Sequence, residues 1–222
     1  MKHVVCYGDS NTWGWDAATE GRHPWPVRWT GVLQERLGSG VRVHEEGLNG
    51  RTTMHPVPDE PARDGLASLP MLLETHTPID VLVIALGVND LFVPGLTARW
   101  AARGIAALAE AALASGAGPM TGPPGLLAVI PPPIRHPLRA DWDADAPGAR
   151  AASIGLAAAV VEALAPLDVP WLDLDGIADV DPLDGLHFDA AAHAAIGVAV
   201  AEAVRPLLYG SGHRAGGLHP EP

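Results

Sequence analysis

Asp80-Val81-Leu82-Val83-Ile84-Ala85-Leu86 is apolar at every position after the first. Such a run fits a central strand of a parallel sheet, covered on both faces. Working outward, His3–Tyr7, Val41–Glu45, Leu126–Ile130 and Val169–Leu174 also read as strands. Between them Val27–Leu37, Leu66–His76, Thr97–Ser115, Ala149–Leu164 and Ala190–Leu208 read as helices, with Thr97 and Asp189 as N-caps. The last of these carries Ile196, Val200, Val204 and Leu207-Leu208 at helical spacing, with Pro206 near its end. Strands alternating with helices imply right-handed crossovers. The expected fold is therefore α/β: a three-layer α/β/α sandwich around a flavodoxin-like, five-stranded parallel sheet of order 2-1-3-4-5. One domain is expected over residues 1–209, with no repeat and no linker. The Gly-, Pro- and His-rich tail, residues 210–222, is expected to be disordered. Two long loops, Asp16–Pro26 and Pro131–Gly148, are candidates for functional segments on a rigid scaffold.

Composition narrows the partners. Apolar residues make up 48% of the 222, enough for a sizeable core. A net charge of −12 argues against nucleic acid or an anionic membrane. The 10 histidines are scattered, with no His-x-x-x-His or Cys-x-x-Cys pair, so no metal site is expected. Cys6 is the single cysteine and lies inside a strand run; it reads as a buried thiol and excludes an intrachain disulfide. The chain enters a strand by His3 without the basic and apolar segments of a signal peptide. No apolar run is seen to approach the ~20 residues of a membrane span. A cytoplasmic protein is the resulting expectation.

Four polar elements fall at or beyond the carboxyl ends of the expected strands, where open α/β sheets bind ligands. They are Gly8-Asp9-Ser10-Asn11, Asn49-Gly50-Arg51-Thr52, Gly87-Val88-Asn89-Asp90 and Asp184-Gly185-Leu186-His187. Ser10 is a weak nucleophile until a base takes its proton. His187 can be that base, and Asp184 can hold the other ring nitrogen. The Ser10 N–H, the Gly50 N–H and the Asn89 side-chain amide are candidate donors to a developing oxyanion. Asp9 and Asp90 read as turn or capping residues, His193 as a helix-face histidine, and Arg51 as the partner of a carboxylate. Seven tryptophans are many for this length. Trp100 and Trp171 read as packing residues. Asn11, Trp13, Trp15 and Trp142 are candidates for the walls of an apolar acyl or aryl pocket.

In this order and at these spacings, the four blocks resemble those of the SGNH (GDSL-type) hydrolase family. The resemblance runs from about residue 3 to 208. Cys6-Tyr-Gly-Asp-Ser-Asn-Thr-Trp-Gly-Trp15, Val27-Arg-Trp-Thr-Gly-Val-Leu33, Glu45-Glu-Gly-Leu48, Arg51-Thr-Thr53 and Pro131-Pro-Pro133 look like its bacterial arylesterase/acyltransferase branch. The chain departs from the pattern at Asn11, where leucine is more usual, and in a shorter-looking Asp16–Pro26 loop. In that branch the corresponding loops shape the entrance and the subunit contacts. The resemblance implies a serine esterase with no cofactor, acting on a small-molecule ester and passing acyl groups to water, alcohols or peroxide. It is compatible with a homo-oligomer. A carbohydrate O-acetylesterase or a lysophospholipase/thioesterase of the same fold is the alternative. A flavodoxin-like domain that binds a ligand without reacting is the alternative of another class.

Overall fold

The structure, a computed structural model, describes residues 1–210; the expected disorder of the tail therefore falls almost wholly outside the described residues. Five parallel strands form the main sheet: β1 Lys2–Gly8, β2 Val41–Gly47, β3 Val81–Ala85, β4 Gly125–Ile130 and β5 Trp171–Asp173. Their order is β2-β1-β3-β4-β5, the flavodoxin-like order expected. The run at residues 81–85 is indeed covered on both faces. Leu82 and Ile84 point into one core with Val5 and Tyr7 of β1, while Val81 and Val83 point into the other with Val4 and Cys6. A fully buried side chain of this kind contributes about 1.5–3 kcal/mol.

Two layers of helix cover these cores. On the first face lie α3 Gly65–His76, α4 Ala98–Ala114 and α7 Leu156–Leu164, burying Leu69, Ile105, Leu108 and Val160. On the second lie α2 Trp29–Leu37 and α8 Ala190–Tyr209, burying Trp29, Leu33, Ile196, Val200 and Val204. Asp189 caps α8 by accepting from Ala192 N at 2.7 Å, whereas Thr97 stands at the N-cap of α4 without a side-chain bond. By length and composition α8 could span a membrane, contrary to the sequence reading. Its many alanines raise mean hydropathy without bulk, and its larger apolar residues pack on the sheet.

Local structure departs from the sequence reading in four places. The expected helix 149–164 is two, α6 Ala149–Ile154 and α7, broken at Gly155. The loop 16–26 carries a short antiparallel ribbon of Trp15–Asp16 and Gly21–Arg22. The loop 131–148 carries α5 Ala140–Asp145. Residues after β1 form a one-turn helix, α1 Ser10–Trp13, instead of an open turn. Trp100 is 41% exposed on α4, while Trp171 packs partly against the core.

His193 on α8 is fully buried against α2, and its Nδ1 accepts from Trp29 N at 3.2 Å. Burial, reinforced by the neighbouring His23, pushes its pKa down to about 3. A histidine with a depressed folded pKa stabilises fully above its unfolded value and loses that stability as pH falls. The affected window runs from about 6.5 down to about 3. His193→Asn keeps an acceptor for Trp29 and removes the titration. Wild type should therefore lose, relative to that variant, on the order of 3 kcal/mol between pH 7 and pH 4. Paired urea melts at the two pH values measure this; a constant difference would refute it.

Candidate active site

α1 presents Ser10 at the carboxyl edge of β1. Asp9 is its N-cap, with Oδ1 accepting from Asn11 N at 2.9 Å, and Gly14 closes it in the left-handed region (φ 90°). The helix can sit this low because Gly47, at the end of β2, has no side chain. A Cβ there would lie 2.2 Å from Trp13 N. As first residue of the helix, Ser10 has an N–H outside the helix's own bonding pattern.

The segment ahead of α8 brings the acid and base to this point. His187 Nε2 lies 2.9 Å from Ser10 Oγ, across 177 residues of sequence. His187 Nδ1 lies 2.7 Å from Asp184 Oδ2. Asp184 Oδ1 accepts from the backbone N–H of Leu186 and of His187, each at 2.9 Å. Facing a carboxylate, Nδ1 carries the proton, and Nε2 is left to accept from the Ser10 hydroxyl. Burial pushes the Asp184 carboxyl up. The bonds from His187 and the two backbone donors outweigh this and hold it below the usual carboxylate range. All three side chains are nearly buried.

Across the cleft, Gly50 turns with φ 73° after β2, a conformation that a side chain disfavours. Asn89 opens a one-turn 3₁₀ helix, Asn89–Phe92, beyond β3. Its Nδ2 donates to Arg51 O at 3.1 Å, tying the two candidate oxyanion donors into one wall. Among the described residues Arg51 does not pair with a carboxylate, contrary to expectation. Its Nη1 donates to Gly8 O at 2.7 Å and Glu46 O at 2.5 Å, and its guanidinium lies 4.2 Å over the Tyr7 ring. It braces the ends of β1 and β2 beneath the nucleophile turn. Asp90 accepts from Thr53 N and, at 2.5 Å, from Thr53 Oγ1, so it pins the chain after β2. Burial raises Asp90 to about 6 and Asp9 to about 7.

These walls enclose a cleft of about 310 Å³ lined by Ser10, Gly50, Asn89 and His187 together with Trp15 and Trp142. The two indole rings flank His187, with centroids 5.7 and 5.6 Å from its own. Asn11 and Trp13 are corrections, because neither lines the cleft. Successive residues of α1 point about 100° apart. Asn11 turns inward, its Nδ2 3.4 Å from Leu186 O, and with Asp9 and Thr12 lines an internal cavity of about 30 Å³. Trp13 packs beside Trp15 and under the Arg22 guanidinium, 4.7 Å away.

Four lining residues escaped the sequence reading as site residues: Asn49, Arg63, Phe92 and Leu186. Asn49 and Leu186 stood inside blocks already singled out. Phe92 and Arg63 carried no signal. Arg63 arrives because Thr52 N bonds to Arg63 O at 3.0 Å, folding the 53–62 loop back on the cleft. Among the described residues, no group of three or more His, Cys, Asp or Glu is arranged to hold a metal.

Comparison with known proteins agrees with this construction. Residues 6–195 match the model of the GDSL-like Lipase/Acylhydrolase family. The inhibitor-bound aryl esterase of M. smegmatis is 36% identical with a TM-score of 0.88, over 94% of this chain and 100% of that one. A carbohydrate acetylesterase family member from Sinorhizobium meliloti is 38% identical with a TM-score of 0.87, over 94% and 99%. A second carbohydrate acetylesterase of that organism, Est24, is 32% identical with a TM-score of 0.87, over 93% and 100%. No curated protein sequence matches. The chain belongs to the GDSL-like lipase/acylhydrolase (SGNH) family and is a serine esterase.

Proposed function

We propose that this esterase cleaves short-chain acyl or aryl esters through an acyl-enzyme on Ser10, and that it passes part of the acyl groups to alcohols. The observation that carries the reading is the single histidine hydrogen-bonded at once to Ser10 Oγ and Asp184 Oδ2, at 2.9 and 2.7 Å. Ser10 Oγ attacks the ester carbonyl as its proton passes to His187 Nε2. The oxyanion is received by the N–H groups of Ser10 and Gly50 and by Asn89 Nδ2. The tetrahedral adduct collapses, and His187 returns the proton to the departing alkoxide. Water or an alcohol then attacks the acyl-enzyme, giving its proton to His187, and Ser10 leaves protonated. Labelling by a fluorophosphonate tests the first step, since only an activated serine reacts. A series of p-nitrophenyl esters of increasing length tests the substrate class.

Asn89→Ala should lower kcat by roughly 10²–10³-fold with a smaller change in KM, the scale of one lost oxyanion donor. An unchanged kcat would leave Asn89 as no more than the tie to Arg51.

The transfer half of the reading rests on the cleft walls. Trp15, Trp142 and Phe92 make an apolar lining beside the nucleophile. Water has the concentration advantage, but an alcohol gains about 25 cal/mol for each Å² of apolar surface it buries. Burying roughly 100 Å² contributes about 2.5 kcal/mol, a preference of nearly two orders of magnitude. With vinyl acetate and benzyl alcohol in mostly aqueous buffer, benzyl acetate should form alongside acetate. Acetate alone, up to the solubility limit of the alcohol, would remove the transferase half.

A carbohydrate O-acetylesterase is the second reading. It is supported by likeness to the two S. meliloti acetylesterases, and by Asn49 and Arg63 on the cleft wall, which can hydrogen-bond sugar hydroxyls. A higher kcat/KM on acetylated sugars than on phenyl acetate would favour it.

A further inference from the structure

We propose that Phe92 closes off the acyl subsite, and that the groove behind its ring is an unused extension of that subsite, fit for the apolar chain of a medium-length acyl group. The inference rests on the esterase reading above. The groove has a volume of about 300 Å³, nearly that of the cleft at about 310 Å³. Its walls are Leu91, Val93, Pro94 and Leu96 on one side, and Ala146 and Ala149 on the other. Among the described residues, no charged side chain lines it. Of these residues, Phe92 is the one common to the linings of cleft and groove. Its ring is half-buried and packs on the core below.

The position of Phe92 assigns the arm of the substrate it meets. It ends the 3₁₀ turn that Asn89 begins. In a 3₁₀ turn the side chains at i and i+3 eclipse, so Phe92 and Asn89 stand on the same side of the turn. The alcohol arm is fixed by proton delivery, because the leaving oxygen must reach His187 Nε2 between the rings of Trp15 and Trp142. With the carbonyl oxygen turned to Gly50 and Asn89 Nδ2, the acyl arm takes the remaining direction, away from His187 and past the Asn89 turn, along the wall that ends in the Phe92 ring. A short acyl chain stops in front of the ring. A longer one needs the space behind it.

Hydrolysis of p-nitrophenyl acetate, butanoate and octanoate tests this against a second series of butyl and octyl acetates. In wild type kcat/KM should fall from butanoate to octanoate. Phe92→Ala should raise the octanoate-to-acetate ratio at least ~10-fold. Four further buried methylenes, at about fourfold each, set an upper scale on the order of 10². The octyl-to-butyl acetate ratio should stay within about twofold. Phe92→Leu, which keeps more of the apolar packing, should shift the acyl ratio in the same direction by less. Ala152→Phe, which refills the groove from α6, should return Phe92→Ala to the short-chain profile. Fluorophosphonate labelling and acetate hydrolysis report the esterase reading separately. If both persist in the Phe92 variants and the acyl ratio does not move, the groove is no subsite and the proposal falls. It also falls if only the alcohol series shifts. A dimer that Ala152→Phe dissociates without altering the chain profile would give the groove to a second copy of the chain.

Discussion

Ser10→Ala is expected to fold as the wild type does and to lose ester hydrolysis by at least ~10³-fold in kcat. The change removes one hydroxyl, and with it the 2.9 Å bond to His187 Nε2. The backbone of α1 is untouched, since its cap is the Asp9 carboxylate and its close is Gly14. The thermal midpoint should therefore move little. What disappears is the atom that forms the acyl-enzyme, so fluorophosphonate labelling should vanish together with turnover. His187→Ala should behave likewise. His193→Ala should leave turnover largely intact, because His193 lies between α8 and α2 and bonds to the Trp29 backbone. Hydrolysis of p-nitrophenyl acetate, followed with and without the label, decides the matter. A Ser10→Ala protein that keeps more than a few per cent of wild-type kcat would mean that another nucleophile does the work.

Asp184→Asn is expected to lower kcat by on the order of 10⁴-fold at neutral pH while KM changes little. Asp184 Oδ1 already accepts from the backbone N–H of Leu186 and of His187. An amide that keeps these two bonds must turn its NH₂ group toward His187 Nδ1. An NH₂ group donates and cannot accept. The imidazole is then held with its proton on Nε2, pointing at Ser10, and can no longer take the serine's proton. The fold should tolerate the change, because both backbone bonds survive. Steady-state kinetics with circular dichroism as the control measures it. A loss smaller than about tenfold would show that another group orients the histidine.

Some of this molecule is local enough to be legible in the chain. The 81–85 strand is apolar because helices cover both faces, and that burial is written into five consecutive residues. The order β2-β1-β3-β4-β5 is the flavodoxin-like one that five strands alternating with helices favour. Asp184 and His187 meet within one turn of backbone, so their spacing alone announces their pairing. Gly50 and Asn89 stand where strands end, and strand ends converge.

Other features depend on rotation about short elements and on loops that return. The sequence marks a turn at Ser10 but not the one-turn helix that Asp9 caps and Gly47 admits. That helix rotates Ser10 into the cleft, and Asn11 and Trp13 out of it. Arg51 looked like half of an ion pair, but buried beneath the turn it meets backbone carbonyls and the face of Tyr7 instead.

The sequence by itself determined the sheet order, the two cores and the identity of the serine, histidine and aspartate. The sheet order and the cores follow from apolar strands alternating with helices, the acid–base pair from residues only three apart, and the serine from its place in a turn directly after the first strand. Only the tertiary structure decided which tryptophans wall the cleft, that Arg63 reaches it, and that Phe92 stands between it and a second apolar groove. These contacts join residues far apart in sequence through loops whose course is set by packing and backbone pairing, and no local pattern of residue types encodes such a path.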